Sequence, residues 1–250
     1  MSKQIRIDPI TTHSLIIQMT VNDNPLGTGT GFVVNSDGRE YLVTNWHNLS
    51  GRHPESGAVL HSQGGLPEEV TIMHHSSQRL GSWTPREEPL EDGSGDRRWH
   101  AHPDGSNVDI AALPLQNTDS VTTYTLDLDL ANEGLALQPA MAVSIVGFPL
   151  GETASGALPI WKTGHIASDP DVDYGGNPVF LVDATTRSGM SGSPVYRREY
   201  GAVRKEGGGM ELGTGSSTQF LGIYSGRIRD NSEVGRVWKP KAIRELLANI

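Results

Sequence analysis

The sequence predicts an all-β chain closed by one C-terminal helix, on three observations. Apolar residues come in bursts of four to eight rather than at helical spacing, each bounded by Gly, Pro, Asn, Asp or Ser. Gly and Pro number 30 and 15 among 250 residues, a load of structure-interrupting residues that a helical bundle or coiled coil would not carry. Only Lys239 to Ile250 shows a helical stripe, with Ile243, Leu246, Leu247 and Ile250 on one face.

In chain order the strand-like bursts are 14–21, 31–34, 41–44, 108–115, 142–148, 179–182, 220–225 and 235–238. Asn35-Ser36-Asp37-Gly38 separates the second from the third and predicts a hairpin turn, with Gly38 supplying a positive φ. Between Met73 and Asn107 the composition turns polar, which predicts surface loops or an exposed hairpin. A second polar stretch, Arg197 to Thr218, contains Gly207-Gly208-Gly209 and reads as a mobile loop. The domain reading is a single unit over 1–250, with an N-terminal half at 14–120 carrying the 73–107 insertion, a C-terminal half at 121–238 and the helix at 239–250.

Composition narrows function. The 20 basic and 29 acidic residues leave a net charge of -9, which repels a phosphate backbone, so nucleic acid is not an expected partner. The absence of cysteine excludes a thiol nucleophile, thiolate zinc sites and disulfides. No apolar run near the N-terminus exceeds Leu15-Ile16-Ile17, too short for a signal-peptide core or a membrane span. The expectation is a cytoplasmic bacterial protein with no membrane association, although a trimmed secreted chain would read the same.

The most informative segment is Gly189-Met190-Ser191-Gly192-Ser193-Pro194. A serine between glycines can sit in a tight turn whose backbone amides face an incoming carbonyl oxygen. Alone it is equally an ordinary turn. A serine hydroxyl becomes a useful nucleophile only with a general base, commonly a His oriented by a buried carboxylate. No histidine follows His165, so a Ser, Asp, His order cannot be built around Ser191, and Ser193 breaks the Gly-x-Ser-x-Gly elbow. A His, Asp, Ser order remains. His47 follows the burst 41–44, where a rigid strand can aim it, and Asp109 lies in the apolar run Val108 to Leu113, where a buried carboxylate needs a partner.

Together these segments resemble the chymotrypsin/trypsin-fold serine proteases, in particular bacterial trypsin-like peptidases without disulfides. Thr44-Asn45-Trp46-His47 resembles the family's T-A-A-H segment, Asp109-Ile110-Ala111-Ala112-Leu113 its D-I-A-L, and Gly189 to Pro194 its G-D-S-G-G-P. Gly29 to Val34 and Leu221 to Gly226 resemble the strands before the histidine and along the specificity pocket. The resemblance implies two antiparallel β-barrels with a cleft between them. It implies a serine endopeptidase with His47, Asp109 and Ser191 as catalytic residues, the amides of Gly189 and Ser191 as oxyanion hole, and Thr185, Thr186, Tyr224, Ser225 and Gly226 along the substrate pocket. It calls for a protein or peptide substrate, no cofactor and no metal. A non-catalytic peptide-binding module using the same cleft is the alternative.

The chain also departs from the pattern. Met190 stands where zymogen-activated members carry an acid, so no N-terminal amine can switch the site through it; activity is expected to be constitutive or set by a protein partner. Thr185 replaces the aspartate that reads Lys or Arg, and Tyr224 occupies a position usually held by a smaller residue, which leans the pocket toward small or uncharged side chains. Arg187 and Arg227 offer a preference for acidic substrates or are simply solvated. His74-His75 and His100-Ala101-His102 lack zincin spacing and read as loop histidines. Gly27-Thr28-Gly29-Thr30-Gly31 fits no phosphate-loop pattern and reads as a flexible entry to the fold. Asn48-Leu49-Ser50 matches a glycosylation acceptor that a cytoplasmic chain would not use.

Overall fold

The computed structural model describes residues 6–79, 81–130, 136–204, 208–229 and 231–250. Its N-terminal half is an eight-stranded antiparallel sheet built from β1 (Ser14–Val21), β2 (Asn24–Ser36), β3 (Arg39–Thr44), β4 (Glu69–Ser76), β5 (Trp83–Pro89), β6 (His100–Ala101), β7 (Ala111–Pro114) and β8 (Val121–Thr122). The order is β5-β4-β1-β2-β3-β7-β6, with β8 on β4, so this half runs slightly past residue 120. A short helix α1 (Trp46–Ser50) follows β3.

The C-terminal half is a closed six-stranded barrel of β9 (Ala142–Gly147), β10 (Ile160–Ile166), β11 (Val179–Asp183), β12 (Pro194–Arg204), β13 (Met210–Arg227) and β14 (Val234–Trp238), in the order β10-β11-β14-β13-β12-β9. Helix α2 (Pro240–Leu247) ends the chain's regular structure. The architecture is thus the expected all-β one, a closed barrel and a second antiparallel sheet followed by a short C-terminal helix.

Tight turns fix strand register. Asp37 and Gly38 both take positive φ (51° and 79°), the conformation that a two-residue hairpin turn matching strand twist requires. Asn22 and Asp23 do the same between β1 and β2 (47° and 61°).

The unbroken apolar bursts have a simple cause. Side chains alternate across a strand, so a strand buried on both faces must be apolar at every position. Val33 and Leu42 point into the N-terminal core with Ile17, Val70, Ile72 and Leu113, while Phe32, Val34, Tyr41 and Val43 point the other way. That second set meets Val146, Tyr196, Phe220, Ile223 and Trp238 from the barrel. Val143, Ile145, Phe180, Val182, Met190 and Val195 fill the barrel interior. The described residues therefore form three cores, and the middle one is the seam between the halves. Helix α2 buries Ala242, Ile243, Leu246 and Leu247 in that seam and touches both β7 and β13.

Residues 8–13 cross the same seam. Asp8 pairs with Arg198 and Thr11 accepts a hydrogen bond from Trp161 (3.1 Å). His13 lies 3.0 Å from the Tyr196 hydroxyl, and the Thr12 carbonyl accepts from His75 at 3.0 Å.

Two expectations from the polar stretches are corrected. Within 73–107 the end of β4 and β5 form a hairpin, one of the two expected alternatives, but His74 and His75 are each only 1% exposed rather than loop residues. Glu88 is fully buried as well, held by Arg98 at 3.1 Å and by the amides of Gln116 and Asn117 at 2.8 Å. Within 197–218 the chain forms most of β12 and the first half of β13, and Arg197 is 2% exposed, bonded to Glu199 and to the Ala136 carbonyl. Polar side chains point inward here because partners satisfy them, so composition conceals the strands. Gly207 lies outside the described residues.

His74 makes acid stability testable. Among the described residues neither buried ring nitrogen has a partner, and burial pushes its pKa down to about 4, with the charges of Arg86 and His75 acting the same way. The unfolded chain titrates this group near pH 6.5, about the free-histidine value. Between the two values the unfolded state binds a proton that folded His74 refuses, so its contribution to stability is whole above this window and is lost as pH falls through it. Burial lowers His13, His75 and His100 in the same direction. Urea denaturation at pH 7, 5.5 and 4 is expected to show falling midpoints. His74→Leu should flatten the fall, and a slope unchanged in that variant would show that the proton is taken up elsewhere.

Candidate active site

The residue order Thr44-Asn45-Trp46-His47 ends β3 and starts α1, so His47 stands on the first turn of a short helix anchored to a central strand. Asn45, fully buried at the helix N-cap, donates its side-chain amide to the Asp109 carbonyl at 2.7 Å. This holds the two segments together. The Asp109 carboxylate then meets His47 twice: Oδ1 accepts from the backbone amide at 2.9 Å and Oδ2 lies 2.7 Å from ring Nδ1. The Asp109 side chain is 5% exposed and that of His47 16%. A carboxylate at this distance favours the tautomer with its proton on Nδ1. Among the described residues, no protein group bonds the other ring nitrogen, Nε2.

Ser191 lies between β11 and β12 on a loop tied to both halves. Its carbonyl accepts from Thr30 N (2.8 Å) and from the Asn48 side chain (3.3 Å), while Gly192 N donates to the Tyr224 carbonyl (2.9 Å). Met190 is fully buried in the barrel core. Gly189 and Gly192 both take φ +89°, and a side chain on either would run into backbone: the Phe148 carbonyl oxygen for Gly189, the Thr30 carbonyl oxygen for Gly192. The loop conformation therefore requires glycine at both positions. Among the described residues, neither the Gly189 nor the Ser191 amide donates to a protein acceptor. Two such donors on one turn suit a developing oxyanion.

His47, Gly189 and Ser191 line one cavity of about 650 Å³, together with Ser225 and Gly226. Thr185, Thr186 and Tyr224 are not part of its wall. Thr185 is exposed, whereas Thr186 and Tyr224 are each 1% exposed and bonded to each other through their hydroxyls at 2.5 Å. Burial raises the Tyr224 phenol above its ordinary pKa, against the opposing pull of the Thr186 hydrogen bond. The Ser225 hydroxyl accepts from the Trp238 indole at 3.0 Å.

The sequence did not single out three contributors. Thr30 is fully buried, donates its hydroxyl to the Gly189 carbonyl at 2.8 Å and accepts from Phe148 N at 3.2 Å. Gly27 to Gly31 is accordingly part of paired β2, not a flexible entry. Asn48 is 5% exposed and bonded to Thr44 (2.9 Å), so no glycan can reach it. Residues between Gly51 and Pro67 form one wall of the cavity; rich in Gly, Pro and His and lacking periodicity, they carry no sequence signal of that role. Among the described residues, no three His, Asp or Glu side chains converge as a metal-holding group.

Comparisons with known proteins identify the family and the fold. A family model described as a trypsin-like peptidase domain matches residues 29–203, a span that contains His47, Asp109 and Ser191. No curated protein matches the chain. Among similar solved structures is the active form of the Rv3671c protease from M. tuberculosis, 18% identical, covering 96% of this chain and 82% of that one with a TM-score of 0.52. The serine endoprotease from Yersinia pestis is 13% identical, covering 98% and 67%, with a TM-score of 0.53. The thermostable serine protease AL20 from an extremophilic microorganism is also 13% identical, covering 97% and 98%, with a TM-score of 0.52. The structural likeness shows a shared fold, and with most of the chain matched by the family model, this protein belongs to the trypsin-like peptidase domain family.

Proposed function

We propose that the chain is a serine endopeptidase acting through Ser191, His47 and Asp109. The observation that carries this reading is the double contact of Asp109 with His47, which fixes the imidazole and leaves Nε2 unpartnered on a residue that shares its cavity with Ser191. In the proposed reaction Ser191 Oγ attacks the peptide carbonyl carbon while His47 Nε2 takes its proton. The carbonyl oxygen, now negative, lies against the amides of Gly189 and Ser191, each worth about 10²- to 10³-fold in rate. Protonated His47 gives its proton to the leaving amine, and Asp109 stabilises the imidazolium meanwhile. Water, deprotonated by His47, then releases the acyl group from Ser191.

Met190, buried and uncharged, gives an N-terminal amine nothing to pair with, so the proposed enzyme needs no N-terminal processing through that residue. A fluorophosphonate probe tests the reading. The folded chain is expected to take up one probe on Ser191 and Ser191→Ala none; a folded chain that resists labelling would leave the cleft as a peptide-binding groove and overturn the proposal.

A further inference from the structure

The charge in the cleft runs against that of the molecule. The chain has nine more acidic than basic residues, yet among the described residues no Asp or Glu lines the 650 Å³ cavity. Its charged and titratable wall residues are Arg227, Arg236 and three histidines, His47, His53 and His61. Low-dielectric walls of one sign focus the field into a cleft, so this one attracts anions although the molecule as a whole repels them.

The two arginines are not equivalent. Arg236 already binds Glu55 at 2.8 Å, and its charge is partly spent. Arg187, outside the cavity wall, faces Glu233 at 3.9 Å. Arg227 is half-buried at the end of β13, immediately after Gly226, and among the described residues no carboxylate pairs with it. A half-buried guanidinium without an anion is an incomplete site, because Arg presents a planar fork of donors that matches a carboxylate in two parallel hydrogen bonds.

We propose that Arg227 is a specificity-determining residue that reads an acidic side chain of the substrate, Asp or Glu, close to the bond presented to Ser191. This rests on the endopeptidase reading for the reaction but not for the recognition, since an acidic peptide would occupy the cleft whether or not it is cut. Arg236 also faces the cavity, but its charge is shared with Glu55, which leaves Arg227 as the main cationic contact for an acidic side chain.

The experiment uses the full chain and octapeptides that differ only in Glu against Gln, scanned through each position around one cleavable bond. At one position Glu is expected to raise kcat/KM over Gln by about 10- to 100-fold, the scale of a charge-assisted pair in a partly desolvated site. Arg227→Gln should collapse that ratio to within about twofold, and Arg227→Glu should turn the preference toward Lys at the same position. In parallel, anisotropy of the labelled Glu and Gln peptides on Ser191→Ala measures the same preference without chemistry. Cleavage with equal rates for Glu and Gln at every position, or a ratio that survives in Arg227→Gln, overturns the inference and leaves the protease reading standing. Arg227-dependent binding of the Glu peptide without cleavage by the wild-type chain does the reverse. Neither cleavage nor a binding preference removes both.

Discussion

Ser191→Ala is expected to lower kcat by about 10⁴-fold or more while the fold and its melting temperature stay those of the parent. The loop explains why the two effects separate. What anchors Ser191 is its carbonyl, held by Thr30 and Asn48, together with the Gly192 amide held by Tyr224; none of these bonds uses the hydroxyl. Among the described residues, the hydroxyl makes no hydrogen bond, so its removal takes away the nucleophile and little else. His47→Ala should fall to a similar floor, because without the base the hydroxyl keeps its proton. The double variant should fall no further, since residues that act as one unit are not additive. Asp109→Asn is expected to cost about 10⁴-fold by presenting an amide where Nδ1–H needs an acceptor. Turnover of a fluorogenic peptide beside circular dichroism decides the matter. A folded Ser191→Ala that retains a tenth of the parental kcat would remove Ser191 from the mechanism.

Gly192→Ala is expected to give the largest loss of stability among single changes in the loop. Its φ of +89° is a region that L side chains seldom adopt, and an added Cβ would meet the Thr30 carbonyl oxygen as well as Thr44 Oγ1 at 2.5 Å. Neither obstacle is the free end of a flexible side chain. Thr30 is a paired residue of β2, and the Thr44 hydroxyl is committed to the Thr30 carbonyl at 2.7 Å. The strained backbone alone costs about 1 to 3 kcal/mol, and the clash adds to it, so the total should exceed about 3 kcal/mol. For a chain of this size that lowers Tm by roughly 6 to 12 °C. Gly156→Ala is the matched control. Its φ is +74°, but nothing lies within 4 Å of the added carbon, so only the smaller backbone penalty applies. Equal melting temperatures for the two variants would show that the Thr30 contact yields freely.

Much of the fold is legible in the sequence because strands buried on both faces must be apolar throughout. The burst 14–21 coincides with β1, and Ile243, Leu246 and Leu247 of the terminal stripe lie on α2, while Ile250 falls beyond it and is exposed. The strands that composition hides are those whose inward positions are polar. β4 ends in His74 and His75, β5 turns Glu88 inward, and β12 begins its polar run with buried Arg197. Glu88 is held by partners 10 to 29 residues away, and Arg197 joins its near neighbour Glu199 to the distant Ala136 carbonyl, which no local pattern reveals. The candidate site divides the same way. His47, Asp109 and the loop 189–194 stand out by their local setting, whereas Thr30, Asn48 and the wall from 51 to 67 acquire meaning only from three-dimensional placement. Arg227 stands between the two: the sequence offers it and Arg187 alike as readers of acidic substrates, and only the fold sets Arg227, not Arg187, in the cavity wall.

Both ends of the chain cross the seam between the halves. Residues 8–13 reach Arg198, Trp161 and Tyr196 on the barrel, His13 leads directly into β1, and α2 wedges its apolar face between β7 and β13. Mechanically this makes the molecule a clamp with its screws tightened: spreading the jaws would shear the strap at residues 8–13 and pull four buried side chains of α2 out of their socket. In the proposed reaction an incoming peptide would therefore take the shape that the jaws dictate.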